Sequence, residues 1–449
     1  MGKSLAAAIL VALVTGCNYG AASFHCTSDQ QCGAGGQCET TFGGLCSFND
    51  SACPSGRRFG DLAGASSNRC VGEQPSNDAG IDVPIDAAID APPDAPPDAP
   101  PDAQACFGGT FLTVCLNSAP EAARTIAAAG ETINTDNAGM CTGTLSITGG
   151  GNYCVIAATD ITVNGKLRAI GSRPLVLLAS GSITTAAGGL IDVGSHRQAG
   201  GATEKGAGAD SAACDAGMLP TGGTSGGGAG GAGGSFFGLG GDGGNGGNGG
   251  TSGKHGAAVT SVSVLRGGCP GQDGQATSGT NGLAGRGGGA VYLIAGVQIN
   301  VQGGINAAGE GGAGGAQNVG GAGGGGSGGM IGFDAPMITN NSLLLASGGG
   351  GGGGGGSGGA NTEGGTAQDP VTIAAANHGV GFQGNNTFGG DGGNGSGSAI
   401  TNAPGGTGNL GDPVGPNTGG GGGGGGGTGL IKAPDTATLG GNISPPRSP

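Results

Sequence analysis

The sequence predicts a mainly β protein: a right-handed parallel β-helix (solenoid) with long Gly-rich insertions, preceded by a small disulfide-rich N-terminal module. Three observations predict it. Five stretches beginning at Asn152, Arg173, Gly289, Gly328 and Thr428 align with one another, each holding three short apolar runs in the same order. The runs are rich in Val, Ile and Leu and broken by Gly, Asn, Ser or Asp, which is strand and turn chemistry. The glycine-rich insertions, at about 196–288, 311–327 and 350–427, fall at one phase of this unit, after its third run, as turns do when they leave one edge of a stacked array.

The chain opens with Lys3 and an apolar run from Leu5 to Val14, followed by Thr15, Gly16 and Cys17. That run is too short to span a bilayer. It resembles a bacterial lipoprotein signal peptide over residues 1–16, and the resemblance implies that Cys17 receives the lipid. Removing Cys17 from the 13 cysteines leaves an even number, as paired disulfides in an oxidising compartment require. Six of them, Cys26, Cys32, Cys38, Cys46, Cys53 and Cys70, form a module over residues 17–75. The spacing lacks the paired CxxC of a zinc site, and so small a domain needs staples, so these are expected to be disulfides of open connectivity.

Residues 76–104 form a linker in which Asp78, Asp82, Asp86, Asp90, Asp94, Asp98 and Asp102 recur every fourth position among prolines. Proline fixes φ and like charges repel, so an extended spacer is expected, reaching on the order of 80 Å at roughly 3.1 Å per residue. The β-helix domain then spans 105–449. A pair among Cys106, Cys115, Cys141 and Cys154 is expected to pin a terminal cap that contains Thr144 to Thr148.

Within the aligned stretches, the first runs place Val155, Val176, Tyr292, Ile331 and Ile431 in one column. The second runs place Ile161, Ile183, Ile299 and Ile338 in another. Stacked like residues would fill the interior as ladders.

The insertions are built largely from Gly-Gly-X triplets, as in residues 227–235 and 240–251. Three residues per turn is the polyproline II period, so a bundle of polyglycine helices is one expectation. Disordered spacers are the other, because ordering glycine costs roughly 0.5–1 kcal/mol more than ordering alanine. Cys214 and Cys269 bracket the first insertion, and a bridge there favours order. The segment GGDGGNG occurs twice and resembles the calcium-binding nonapeptide of repeat toxins, though without the large apolar residue after the Asp. The resemblance makes Asp242 and Asp391 the candidate calcium ligands, and no other cofactor is implied.

With 15 Lys and Arg against 29 Asp and Glu, the chain lacks the basic patch that a nucleic-acid partner needs. No catalytic constellation stands out. Asp160, Asp192, Asp334 and Asp435 fall in different columns, Lys166 and Arg168 read as isolated, and His25, His196, His255 and His378 lie in the cysteine module or the insertions. The whole layout resembles myxobacterial-type surface lipoproteins. The insertions also resemble the glycine-rich repeats of mycobacterial PE_PGRS proteins, without their helical N-terminal domain. These resemblances imply a location: the cell envelope, on the outer-membrane surface, anchored to the membrane by lipid. The expected role is structural or adhesive, toward surface polysaccharide or neighbouring cells. A carbohydrate-active enzyme and an ice- or crystal-binding surface stay open as alternatives.

Overall fold

The computed structural model describes residues 26–72 and 105–448, apart from breaks at 43, 62, 64–65, 110, 149–150, 199–200, 224–225, 260, 277–279, 359, 385–386, 398–404 and 413–418. The expected signal sequence, Cys17, His25 and the Asp/Pro linker lie outside the described residues. The chain divides into two units, the first ending at Asp94 and the second starting at Ala95.

The first unit contains an antiparallel sheet of Gly36–Glu39, Leu45–Asn49 and Arg57–Phe59. Its apolar centre is little more than Leu45, Phe59 and Ala63, too small to hold a fold by burial alone. Disulfides supply the rest, pairing Cys26 with Cys38, Cys32 with Cys46 and Cys53 with Cys70. Cys26, Cys32 and Cys38 are close enough to suggest a metal site, but their sulfurs are already oxidised.

The second unit is mainly strand, with helix among its described residues confined to a single turn, Ala138–Met140. Three parallel sheets organise it. Sheet I joins Cys154–Ala158, Leu175–Ala179, Ala290–Ala295, Met330–Asp334 and Leu430–Lys432. Sheet II joins Arg124–Ile126, Ile161–Val163, Ser182–Thr185, Gln298–Val301, Met337–Asn340 and Thr438–Leu439. Sheet III joins Glu131–Asn134, Lys166–Ile170, Leu190–Asp192, Gly304–Asn306, Leu343–Leu345 and Asn442–Ser444. Each aligned stretch gives one strand to each sheet in turn, and the insertions all lie between a sheet III strand and the next sheet I strand.

One apolar cluster is shared by all three sheets. It contains the second-run column Ile161, Ile183, Ile299 and Ile338, together with Leu167, Ile191, Ile305 and Leu344 from sheet III. The first-run column needs a correction. Val155, Val176 and Tyr292 do pair in register, but Tyr292 is opposite Gly332, and Ile331 pairs with Val291 and Ile431. A one-residue shift exchanges the two faces of a strand. Ile331 and Ile431 belong to the shared interior, whereas Tyr292 points out of it. Glycine at 332 is then required, because a Cβ there would lie 2.1 Å from Cδ2 of the Tyr292 ring.

The earlier strands of sheet I are buried on both faces, which is why Leu175–Ala179 and Ala290–Ala295 are unbroken apolar runs. There the outer face is covered by Leu112, by Val114 and Leu116 of a separate antiparallel sheet, Ala105–Gly108, Thr113–Leu116 and Thr144–Ile147, and by Phe236 and Leu265 of the first insertion. Disulfides Cys106–Cys115 and Cys141–Cys154 fasten this cap. Thr144–Ile147 is thus part of an outer layer and not of a terminal turn, and the stack begins earlier, at Arg124–Ile126 and Glu131–Asn134.

Replacing Gly332 by Ala should lower stability by about 1–3 kcal/mol through overpacking. In a double-mutant cycle by chemical denaturation, Gly332→Ala combined with Tyr292→Ala should cost less than the sum of the two single changes. Strict additivity would mean that the Tyr292 ring does not set this position.

Candidate functional site: the glycine lattice and its charged root

Sheet pairing does not stop where the apolar residues end. Beyond Asn306 and Leu345, Ala307 N–H donates to Leu345 O and Gly309 N–H to Ser347 O, and the bonding then passes to a step of three, with Gly312 to Gly350 and Gly315 to Gly353. The period of two imposed by alternating side chains gives way to the period of three that glycine allows. Each insertion folds back and forth as extended rods bonded every third residue to their neighbours.

The rod at 419–427 has six such neighbours. Gly420, Gly423 and Gly426 donate to Gly355, Gly352 and Gly349; Gly421, Gly424 and Gly427 donate to Gly228, Gly231 and Gly234; Gly422 and Gly425 donate to Asn409 and Gly406. Its carbonyls accept from Gly241, Gly244 and Gly247, from Gly390, Gly393 and Ser396, and from Ala322, Gly325 and Gly328. Every backbone group from Gly420 to Gly427 is therefore paired, as a buried segment without side chains demands. A Cβ on Gly421, Gly422, Gly423 or Gly424 would meet a neighbouring carbonyl oxygen at 2.0–2.1 Å. The hydrogen that occupies that direction instead points at the oxygen, adding a weak Cα–H···O contact.

The rods at 320–329 and 347–356 are enclosed in the same way. Rods at the rim lack neighbours on one side, and there side chains, most of them X residues of Gly-Gly-X, supply acceptors for the unmatched amides. Asp391 accepts from Gly381 N–H (2.8 Å), Asn394 from His378 N–H (3.2 Å), Asn245 from Ser252 N–H (2.7 Å) and Asp273 from Ala284 N–H (2.7 Å). Asp242 takes His255 N–H at 3.2 Å, His255 Nδ1 at 2.7 Å and Lys254 Nζ at 3.1 Å. Asp242 and Asp391, the two calcium candidates, stand on rods separated by the 405–411 rod, which bonds to both. The repeated GGDGGNG segment thus has a role as an edge seal. Cys214–Cys269 is formed and ties the first insertion to itself.

A charged cluster sits where the rods leave sheet III. Arg168, Asp192 and Asn306 are register partners facing away from the shared core. The buried Asp192 carboxylate contacts Lys166 Nζ at 2.7 Å, Arg168 Nη1 at 3.3 Å, His196 Nε2 at 3.0 Å and Asn306 Nδ2 at 3.0 Å. His196 Nδ1 faces Asp369 at 3.7 Å. Next to it Arg197 spans Gly201, Ala284 and Gly311 carbonyls and lies 3.1 Å from Glu310 Oε1, without hydrogen-bond geometry. Lys166, Arg168, Asp192 and His196, isolated in the sequence reading, are brought together here. Asp160 instead bonds the Ser182 amide, Asp435 pairs with Arg447, and Asp334 lies on the outer face of sheet I.

Burial alone would raise the Asp192 carboxyl, but hydrogen bonds and charge from His196, then Arg168 and Lys166, outweigh it and hold it well below its ordinary range. Burial alone would lower the His196 imidazole; its hydrogen bond to Asp192 and the nearby Asp369 carboxylate outweigh this and raise it to about 9. A ring protonated at neutral pH donates to Asp192, faces Asp369 as a cation and is no general base. Glu310 is pushed up to about 7 by burial, against the charge of Arg197. The cluster works as an electrostatic clamp on the root of the lattice. Comparisons with family models, curated proteins and solved structures find no match to this chain.

Gly423→Ala should destabilise the protein by about 1–3 kcal/mol and speed amide exchange in the rods around it. Gly188→Ala, whose Cβ has 3.8 Å of clearance, should do neither. For pH, Glu310 and His196 both titrate higher when folded than their ordinary 4.5 and 6.5, so each stabilises at low pH. Their contributions are full below 4.5 and 6.5 and are lost as pH rises through about 7 and about 9. Asp192 has the opposite sign and loses its contribution as pH falls below 3.8. Thermal midpoints should fall from pH 4.5 to 9, and Glu310→Gln should flatten the lower half of that decline; a flat profile in the parent protein would refute the clamp.

Proposed function

We propose that the three parallel sheets are the faces of a right-handed parallel β-helix. Its turns are the five aligned stretches preceded by one from Arg124 to Asn134, and its glycine lattice is a rigid body displayed at a cell surface. The one-strand-per-sheet order and the single shared core support the helix, as does the right-handed rule for parallel crossovers. The observation that carries the structural role is the enclosed 419–427 rod. Residues there are committed to satisfying one another and leave no side chain for chemistry. In this reading Cys17 carries the lipid, the Asp/Pro segment spaces the body from the outer membrane, and the rim of the lattice meets surface polysaccharide or neighbouring cells. Six disulfides support an oxidising compartment.

Labelling expressing cells with an alkyne palmitate should mark the protein, and Cys17→Ala should abolish the mark. External protease should remove the protein from intact cells. Label that persists in Cys17→Ala, or full protection from protease, would reject anchoring or display respectively.

A further inference from the structure

The outer face of sheet I changes character along the stack. Its outward columns run Val176, Tyr292, Gly332, Lys432 and Leu178, Ile294, Asp334. Over the earlier strands these residues are apolar and lie beneath the cap; over the last two they are Gly332, Asp334 and Lys432. A cleft of about 280 Å³ opens there, lined by Gly109, Phe111, Tyr292, Asp334, Lys432 and Pro434. Phe111 is half-buried and stacks on Tyr292, with centroids 5.4 Å apart and planes 19° from parallel. Lys432 Nζ sits 5.5 Å from the Phe111 ring centroid. The chain is only 3% aromatic and has no Trp, so a stacked pair at an open cleft is a concentrated feature.

We infer that this cleft binds a single neutral pyranose residue. A pyranose presents an apolar C–H face, which matches the face of an aromatic ring, and a rim of hydroxyls that both donate and accept. Asp334, which accepts from the Gly109 amide and is half-buried, takes hydroxyl protons. The Lys432 ammonium, over the Phe111 ring, adds positive charge beside the hydroxyls. One carboxylate and one ammonium leave the cleft without net charge, which favours a neutral ligand over an ionised one. The volume lies just under the usual lower bound of about 300 Å³ for ligand pockets, enough for one ring and too little for a chain. For its biology the inference rests on the adhesive reading above, to which it gives a ligand class. The sugar titration reads the cleft and the protease experiment reads the location, so either can fail alone.

The test is saturation-transfer NMR and titration of the full chain with methyl glycosides of neutral hexoses and of a uronic acid. At least one neutral glycoside should bind with Kd on the order of 1 mM. Phe111→Leu keeps an apolar cover over Tyr292 but removes the ring, and Asp334→Asn keeps the shape but removes the charge. Each should weaken binding about tenfold or more while the thermal midpoint holds. Absence of transfer to every neutral glycoside would overturn the inference, as would preferential binding of the uronic acid or unchanged affinity in both folded variants.

Discussion

A backbone with neighbours on all sides must satisfy its own amides and carbonyls and must carry nothing but hydrogen on Cα. The distal half of this protein follows from that constraint. Glycine content tracks enclosure: 419–427 and 348–356 are unbroken glycine, and 320–329 admits only the Ala322 methyl and the Ser327 hydroxyl, which bonds to Cys269. Where a rod reaches the rim, every third residue becomes Asp, Asn, Thr or another side chain, and several of these close the amides that have lost a neighbour. Composition that reads as low complexity is thus a map of position within a lattice.

Glycine has the largest conformational freedom to lose, and one net hydrogen bond per residue, about 0.5–1.5 kcal/mol, does not offset it comfortably. The sheets resolve this. They deliver rods at 307, 329, 346 and 429 already spaced and in register, so much of the ordering cost is met by apolar burial in the shared core. Within the first insertion the Cys214–Cys269 bridge removes about 4 kcal/mol of unfolded-state entropy in the chain-entropy model. The clamp of Asp192, His196, Arg197 and Glu310 stands at the same junction, where period two becomes period three and a slip would misalign everything beyond it.

The strands were readable because apolar letters recur at fixed offsets, and the edge from which the insertions leave was readable for the same reason. The register of Ile331 was not, because alignment matches apolar letters without knowing which face they serve. Tyr292 looks like a core residue until Gly332 is seen to be the only residue its ring admits. Arg124–Ile126 and Glu131–Asn134 give no apolar run to align, because each carries a single Ile. The Asp192 cluster does carry a signal: Arg168, Asp192 and Asn306 hold equivalent places in their stretches, and complementary charges in one column attract although their letters differ. The rods themselves were foreshadowed by Gly-Gly-X. Their partners were not, since Gly241 meets Gly425 across a long stretch of sequence with no side chain to identify either one.

A lattice without side chains has no rotamers to rearrange and no interior volume to repack, so it has few ways to adapt to a partner by deformation. Recognition must then come from residues that the constraint leaves free. At the rim many of these are already engaged in sealing amides. On the outer face of sheet I the demand is lighter, because the sheet satisfies its own backbone and side chains there need only be covered. Where the cap ends, beside Phe111, that cover stops, and Asp334 and Lys432 stand at a surface whose geometry the stack beneath holds fixed. Rigidity and recognition are in this way assigned to different parts of one chain, the first to glycine and the second to the few aromatic and charged residues it retains.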